Sequence, residues 1–321
     1  MFRSLIAASL LLVSVAASAE DFPSRPITLV VPFAAGGPTD VVARNLARSM
    51  GKALKQTIIV DNRPSSGGII GSEFVLQAKP DGYTLLLHNI GMATLKALSP
   101  DLRFNPSTDF SYVGQVVDVP MTLVGAKKLS AHDFPALAAY LRTHQKDVNL
   151  ANAGIGTASH LCGLLLMSQL KVALTTIPYK GAAPAMTDLQ GGQVDLLCDQ
   201  ITTTIGPIQT NRVQAYGSTT RARLPLLPAL ATLDEQGLKG FEVTVWHGIY
   251  GPKGVPAPVL SRLSQALQAA LADPEFKTSM ERLGATPVDA GKASPQGLLD
   301  QLRSQEAVWS PLIRNSSAFL Q

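Results

Sequence analysis

The stretch Ile27-Thr28-Leu29-Val30-Val31-Pro32-Phe33-Ala34-Ala35-Gly36-Gly37-Pro38-Thr39-Asp40 constrains the fold more than any other. An apolar, β-branched run ends in a glycine turn, and a pattern of helical period follows at once. Such a succession reads as a strand, a tight turn and a helix N-terminus. Glycine lets backbone approach a ligand closely, and the first N–H groups of a helix have no intrahelical partner. The positive end of the helix dipole lies behind them, so the turn suits a carboxylate or a phosphate. The first expectation is therefore a site for an anionic small molecule.

The pattern recurs along the chain. Val42, Leu46, Met50 and Leu54 form one apolar stripe of a helix over 40–54, with Thr39 as its expected N-cap. A strand over 57–60 runs into Ser65-Ser66-Gly67-Gly68 and a helix over 71–78. A third strand over 83–87 ends in His88-Asn89-Ile90-Gly91-Met92. A β-α-β-α-β unit of this kind has parallel strands, and ligands sit beyond their carboxyl ends. The three junctions then share one edge.

A β-rich run over 110–126 leads into a second half with the same architecture. A helix over 134–144, a strand over 148–151, the turn at Gly154-Ile155-Gly156-Thr157 and a helix carrying Leu161, Leu164 and Leu165 follow in order. A strand over 175–179, the turn Lys180-Gly181-Ala182, a helix to Gln190 and a strand over 194–197 ending in Cys198-Asp199 complete the unit. Further strands over 214–218 and 243–250 precede helices over 256–271 and 295–309. Two α/β lobes joined by two crossover segments predict a hinge and a cleft. Domain 1 is expected over 20–122 and 244–321, and domain 2 over 123–243.

Composition bears on compartment and partner. Met1 to Ala19 has a basic start, an apolar run from Leu5 to Ala16 and the small residues Ala17-Ser18-Ala19. This is the pattern of a signal peptide cleaved after Ala19, too short for a good membrane span. The mature chain is then exported, without membrane insertion. Removing Arg3 leaves 26 basic and 23 acidic residues, a net charge of +3. The basic residues are dispersed and lack interleaved aromatics, which argues against nucleic acid. Of the two cysteines, Cys162 and Cys198, sequence leaves open a disulfide or two buried thiols.

At this point the chain resembles a family, the periplasmic receptors of tripartite tricarboxylate transporters, known as the Bug or TctC family. The resemblance is carried by Pro-Ser-Arg-Pro-Ile-Thr-Leu-Val-Val-Pro-Phe-Ala-Ala-Gly-Gly at 23–37, Val-Asp-Asn-Arg-Pro at 60–64 and Lys-Pro-Asp-Gly-Tyr-Thr-Leu-Leu at 79–86. Gly-Thr-Ala-Ser-His-Leu at 156–161, Pro-Tyr-Lys-Gly-Ala-Ala-Pro-Ala at 178–185 and Gly-Gly-Gln-Val-Asp at 191–195 complete it. It implies a two-lobed Venus-flytrap binding protein, type II-like, that closes on a small di-, tri- or aromatic carboxylate. It also implies the periplasm as its compartment, and delivery to a membrane permease by a monomer without cofactor. Carried onto this chain, the first-lobe ligand set is Phe33, Ala34, Gly36, Gly37, Asp40, Gly67 and Gly68, joined by the loop with His88, Asn89 and Gly91. The second-lobe set is Gly156, Thr157, His160, Ala182 and Asp199. The third loop usually carries hydroxyl residues, and position 198 is commonly aromatic. Here Met92 and the smaller Cys198 would leave room for a bulkier ligand, and His88 would add a donor.

Each candidate has a plainer reading. Asp40 lies in a first helical turn, where an acidic residue is favourable by the dipole alone. Thr157 and His160 are one turn apart, and a hydrogen-bonded structural role suits His160 as well as ligand contact does. Trp246 at the crossover fits core packing. Asp199 is unexpected beside an anion and reads as a supporting residue or as a contact to a ligand amine. No nucleophile elbow, phosphate-binding loop or metal-ligand spacing occurs. The rival class is an exported α/β enzyme acting on an anionic substrate.

Overall fold

The computed structural model describes residues 22–315. The signal peptide expected over 1–19 lies outside them. Strands β1 (Ile27–Val31), β2 (Ile58–Asn62) and β3 (Thr84–Asn89) are parallel, with β1 in the middle. Helix α1 (Pro38–Leu54) connects β1 to β2, and α2 (Ile69–Leu76) connects β2 to β3. The expected stripe of α1 is buried, each of its four residues being at most 3% exposed. The short helix α3 (Leu95–Leu98) then leads to β4 (Phe110–Gly125).

The second half contains α4 (Phe134–His144), β5 (Asn149–Asn152), α5 (Ala158–Leu170), β6 (Thr175–Pro178), α6 (Ala182–Gln190) and β7 (Leu196–Gln200). It continues through α7 (Ile201–Gln209) and β8 (Gln214–Ser218). The chain returns in β9 (Thr244–Pro252), followed by α8 (Ala257–Ala272), α9 (Pro274–Arg282), β10 (Thr286–Pro287) and α10 (Pro295–Asn315). Helices α8 and α10 pack against β4, and α8 also packs against α1.

One curled sheet runs β2-β1-β3-β9-β4-β7-β5-β6, with β8 and β10 also paired to β4. The long strand β4 belongs to both lobes. From Phe110 to Pro120 it pairs antiparallel with β9, and from Met121 to Gly125 with β7 and β8. Thr219 fastens the two crossings at this point. Its backbone N–H donates to the Met121 carbonyl at 3.0 Å, and its hydroxyl donates to the Val243 carbonyl at 2.6 Å. The side chain is fully buried, so these bonds compete with no bulk water.

Several expected boundaries shift. Helix α1 begins at Pro38 and Gly37 is its N-cap, so Thr39 is a first-turn residue and not the cap. Proline suits this first position because its φ is preset and the missing N–H would have no partner anyway. His88 and Asn89 complete β3, and the loop proper is a 3-10 turn over Ile90–Ala93. The sequence patterns above contain neither α7 nor α9. The cysteine alternatives resolve into a Cys162–Cys198 disulfide that ties α5 to β7, with Cα atoms 6.1 Å apart.

Candidate functional site

The parallel strands of each lobe place their turns on one edge, and the two edges meet. The Ala34 N–H donates to the Lys180 carbonyl at 3.3 Å, and the Thr94 hydroxyl donates to the Gly156 carbonyl at 2.8 Å. A Cβ placed on Gly37 would lie 3.9 Å from the backbone nitrogens of both Ala182 and Ala183. Between the turns lies a small cavity of about 20 Å³. Its lining includes six of the sequence candidates, Phe33, Gly37, Asn89, Thr157, Ala182 and Asp199.

The other candidates stand behind this wall. Asp40 is spent inside the first turn. One carboxylate oxygen accepts the Gly36 N–H at 2.9 Å and the Arg44 Nε at 2.8 Å, and the other accepts Asn62 Nδ2 at 3.0 Å. Burial raises the Asp40 carboxyl, but the Arg44, Gly36 and Asn62 donors outweigh it and hold it below the usual carboxylate range. With Asp40 turned back, no side chain caps α1. The first-turn N–H groups of that helix are thereby left for another partner.

Thr39 and Asn89 form the next layer. Asn89 Nδ2 donates to Thr39 Oγ1 at 3.2 Å, so the threonine proton is free to reach His247 Nε2, also at 3.2 Å. Asn89 Oδ1 meanwhile accepts the Gly91 N–H at 3.0 Å. Thus Gly91 fixes the amide that lines the cavity. Burial pushes the His247 imidazole down to about 3, with His88 adding to the effect, and pushes His88 down to about 4.

The second glycine pair serves packing. Gly67 and Gly68 both have φ above +60°, in a 3-10 turn over Ser66–Gly68. A Cβ on Gly68 would come 2.5 Å from His88 Nε2 and 3.0 Å from Pro32 Cγ. Gly68→Ala should therefore cost roughly 2–4 kcal/mol, combining left-handed strain with overpacking. Gly36→Ala is the matched control. Its φ is also +77°, yet the nearest atom to an added Cβ is 3.9 Å away, so only the strain of about 1–2 kcal/mol applies. Urea unfolding of both variants decides the matter, and equal losses would discount the His88 contact.

On the second lobe Thr157 caps α5. Its hydroxyl donates to the Gly154 carbonyl at 2.7 Å, and its oxygen accepts the His160 N–H at 3.4 Å. His160 Nδ1 accepts the Gly156 N–H at 3.3 Å, so this ring shapes the turn and does not line the cavity. Burial pushes it down to about 4. His88, Met92 and Cys198 do not supply the donor or the room expected of them. The two residues of β3 and its 3-10 turn are buried in the core, and Cys198 is turned to Cys162 of α5.

Six lining residues were absent from the candidate set, namely Pro38, Thr39, Ala153, Ala158, Ser159 and Gln200. Five adjoin or lie within turns already singled out, so the signal was present. Gln200 is the N-cap of the unforeseen helix α7. No Lys, Arg or His lines the cavity. Asp199 Oδ2, Gln200 Oε1 and Ser159 Oγ are buried without a hydrogen-bond partner. Burial pushes the Asp199 carboxyl up to about 7, against the lowering influence of the Gln200 backbone and the Thr203 hydroxyl. A larger groove of about 670 Å³ opens beside α1 and β2. Its lining shares no residue with the cavity between the turns, and its Arg44 and Arg48 are tied to Asp40 and Glu275. Among the described residues, no group of three or more His, Cys, Asp or Glu could hold a metal ion. No described helix is long and apolar enough to cross a membrane.

Residues 42–317 match the family described as tripartite tricarboxylate transporter family receptor. The chain is 45% identical to a protein from the TAR-I ttuE-ttuC' intergenic region of Agrobacterium vitis, covering 95% of this chain and 88% of that one. Among solved structures it is similar to the periplasmic binding protein BugD, with 47% identity, a TM-score of 0.90, and coverage of 92% and 99%. It is also similar to MatC from Rhodopseudomonas palustris with bound malate, with 35% identity, a TM-score of 0.88, and coverage of 91% and 100%.

Proposed function

Because this chain belongs to the tripartite tricarboxylate transporter receptor family, we propose that it captures a small carboxylate between its two lobes and delivers it to a membrane permease. The lobes in this reading are 20–122 with 244–321, and 123–243. The observation that carries it is the set of helix N-termini around one cavity. Helices α1, α6 and α7 begin beside the cavity lining and have no side-chain cap. Free N–H groups and aligned dipoles at such ends favour an anion. The malate bound in MatC supports the ligand class.

Capture follows from the geometry. An open cleft admits the hydrated anion, and backbone N–H groups with the Asn89 and Ser159 side chains replace its water. Closure is favoured by contacts available only when the lobes meet, and Ala34 to Lys180 and Thr94 to Gly156 are contacts of that kind. The Thr219 junction is the natural hinge. The family consists of periplasmic binding proteins, so export by the expected signal peptide belongs to the same proposal. No chemistry on the ligand is proposed.

The test is a thermal-shift and calorimetric screen with malate, other mono- and dicarboxylates, and neutral sugars. A carboxylate at a hundred times its Kd should add about 2.7 kcal/mol to the folded state, and should be recovered unchanged. Stabilisation by sugars with none from any carboxylate would sink the ligand class. Gly37→Val should weaken carboxylate binding at least roughly a hundredfold, because the branched side chain intrudes where the α1 N-terminus meets α6. Undiminished affinity in a folded variant would remove this turn from the site.

A further inference from the structure

Asp199 is the one ionisable side chain lining the cavity. It is 1% exposed, and its Oδ2 has no hydrogen-bond partner. No cationic side chain lines the cavity to balance it. An ionised carboxylate buried without a counter-ion is costly, and such a group holds its proton instead. In the neutral form Asp199 becomes a donor, as are the uncapped helix ends of α1, α6 and α7 and the unpartnered hydroxyl of Ser159. The wall then presents donors from both lobes, which suits a ligand with an acceptor group at each end.

We propose that Asp199 meets the ligand as a neutral acid, its Oδ2–H donating to a second carboxylate of the bound anion, so that a dicarboxylate is taken up together with one proton. This rests on the carboxylate reading and extends it to the ligand's far end. Receptor molecules in which Asp199 is ionised take the proton from solvent on binding, and release it when the ligand leaves.

The surroundings isolate this titration. The ionisable groups on the elements about the cavity include His160 of α5, Asp40 of α1, His88 of β3 and His247 of β9, and the cations of α1 are paired, Arg44 with Asp40, and Arg48 and Lys52 with Glu275. The three histidines are pushed down to about 4, 4 and 3 and stay neutral between pH 6 and 8. Asp40 is held low by Arg44 and stays ionised. Beyond them, Asp188 of α6 accepts the Tyr179 hydroxyl, Asp195 before β7 pairs with Lys128, and Asp118 of β4 pairs with Lys292. Lys180 before α6 is exposed. Thr122, the β4 residue paired with Asp199, is uncharged.

Isothermal titration with malate and succinate from pH 6 to pH 8 tests the proposal. Ordinary carboxyl groups stay largely ionised over this range. With Asp199 titrating near 7, Kd should rise about tenfold from pH 6 to pH 8. At pH 7.5, buffers of different ionisation enthalpy should report uptake of about three-quarters of a proton per ligand. Asp199→Asn carries a permanent donor and should flatten the pH profile to less than about twofold. A wild-type affinity that is constant or tightens with rising pH overturns the proposal, as does a wild-type slope kept in Asp199→Asn. The proton-uptake measurement needs no variant, so misfolding of Asp199→Asn leaves the test intact. Binding of malate or succinate without proton uptake overturns this inference alone. Failure of both dicarboxylates at every pH also overturns it, while the wider carboxylate screen decides the proposed function separately.

Discussion

Acidification from pH 6.5 to 4.5 should cost the folded state on the order of 4 kcal/mol. His88, His160 and His247 are buried and neutral, with folded values of about 4, 4 and 3 against 6.5 for the free side chain. Below pH 6.5 the unfolded chain binds three protons that the native chain refuses, so stability falls as pH falls through this window. Asp199 acts in the opposite direction. Its carboxyl is raised to about 7 from 3.8, so the native chain holds one proton that the unfolded chain has lost. The net difference is about two protons, or about 2.7 kcal/mol per pH unit where the slope is steepest. Urea unfolding at pH 6.5, 5.5 and 4.5 measures this directly. His160→Gln should remove about one proton from the slope. Equal stability at pH 6.5 and 4.5 would mean that these rings are not held neutral.

Loss of the Cys162–Cys198 bond is the second large effect. The bond closes a segment with a sequence separation of 36 residues, and loop-closure entropy for that length corresponds to about 4 kcal/mol. The double variant Cys162→Ala, Cys198→Ala should unfold at a temperature lower by on the order of 10 °C. The consequence reaches the cavity, because the bond joins α5, whose first turn contributes Ala158 and Ser159, to β7, which contributes Asp199 and Gln200. Carboxylate affinity should weaken along with stability in the variant. A loss below about 1 kcal/mol would show that packing of α5 on β7 already fixes their spacing.

Much of the architecture is legible because its signals are local. The apolar run at Ile27–Val31, the turn at Gly36-Gly37 and the stripe of Val42, Leu46, Met50 and Leu54 each report the backbone state of adjacent residues. Repeated twice, they predict parallel strands with their turns on a shared edge, and the pairing of β1 with β2 and β3, and of β5 with β6 and β7, has that form. Helix α7 lacked such a signal. Its Ile-Thr-Thr-Thr start and Pro207 are poor helix formers. It packs on β4, where the Thr204 and Thr122 hydroxyls share a hydrogen bond of 2.7 Å. Helix α9 carries a short one, Pro274 after an Asp273 whose side chain accepts the Glu275 N–H.

The sequence by itself determined the α/β class and the glycine turns, since these depend on backbone geometry within a few residues. Tertiary structure alone decided that β9 enters between β3 and β4, that Cys162 reaches Cys198, and that Asp40 faces inward while Asp199 faces the cavity. Those outcomes depend on which distant segments exclude water from each side chain, and burial of that kind is not encoded at any one position.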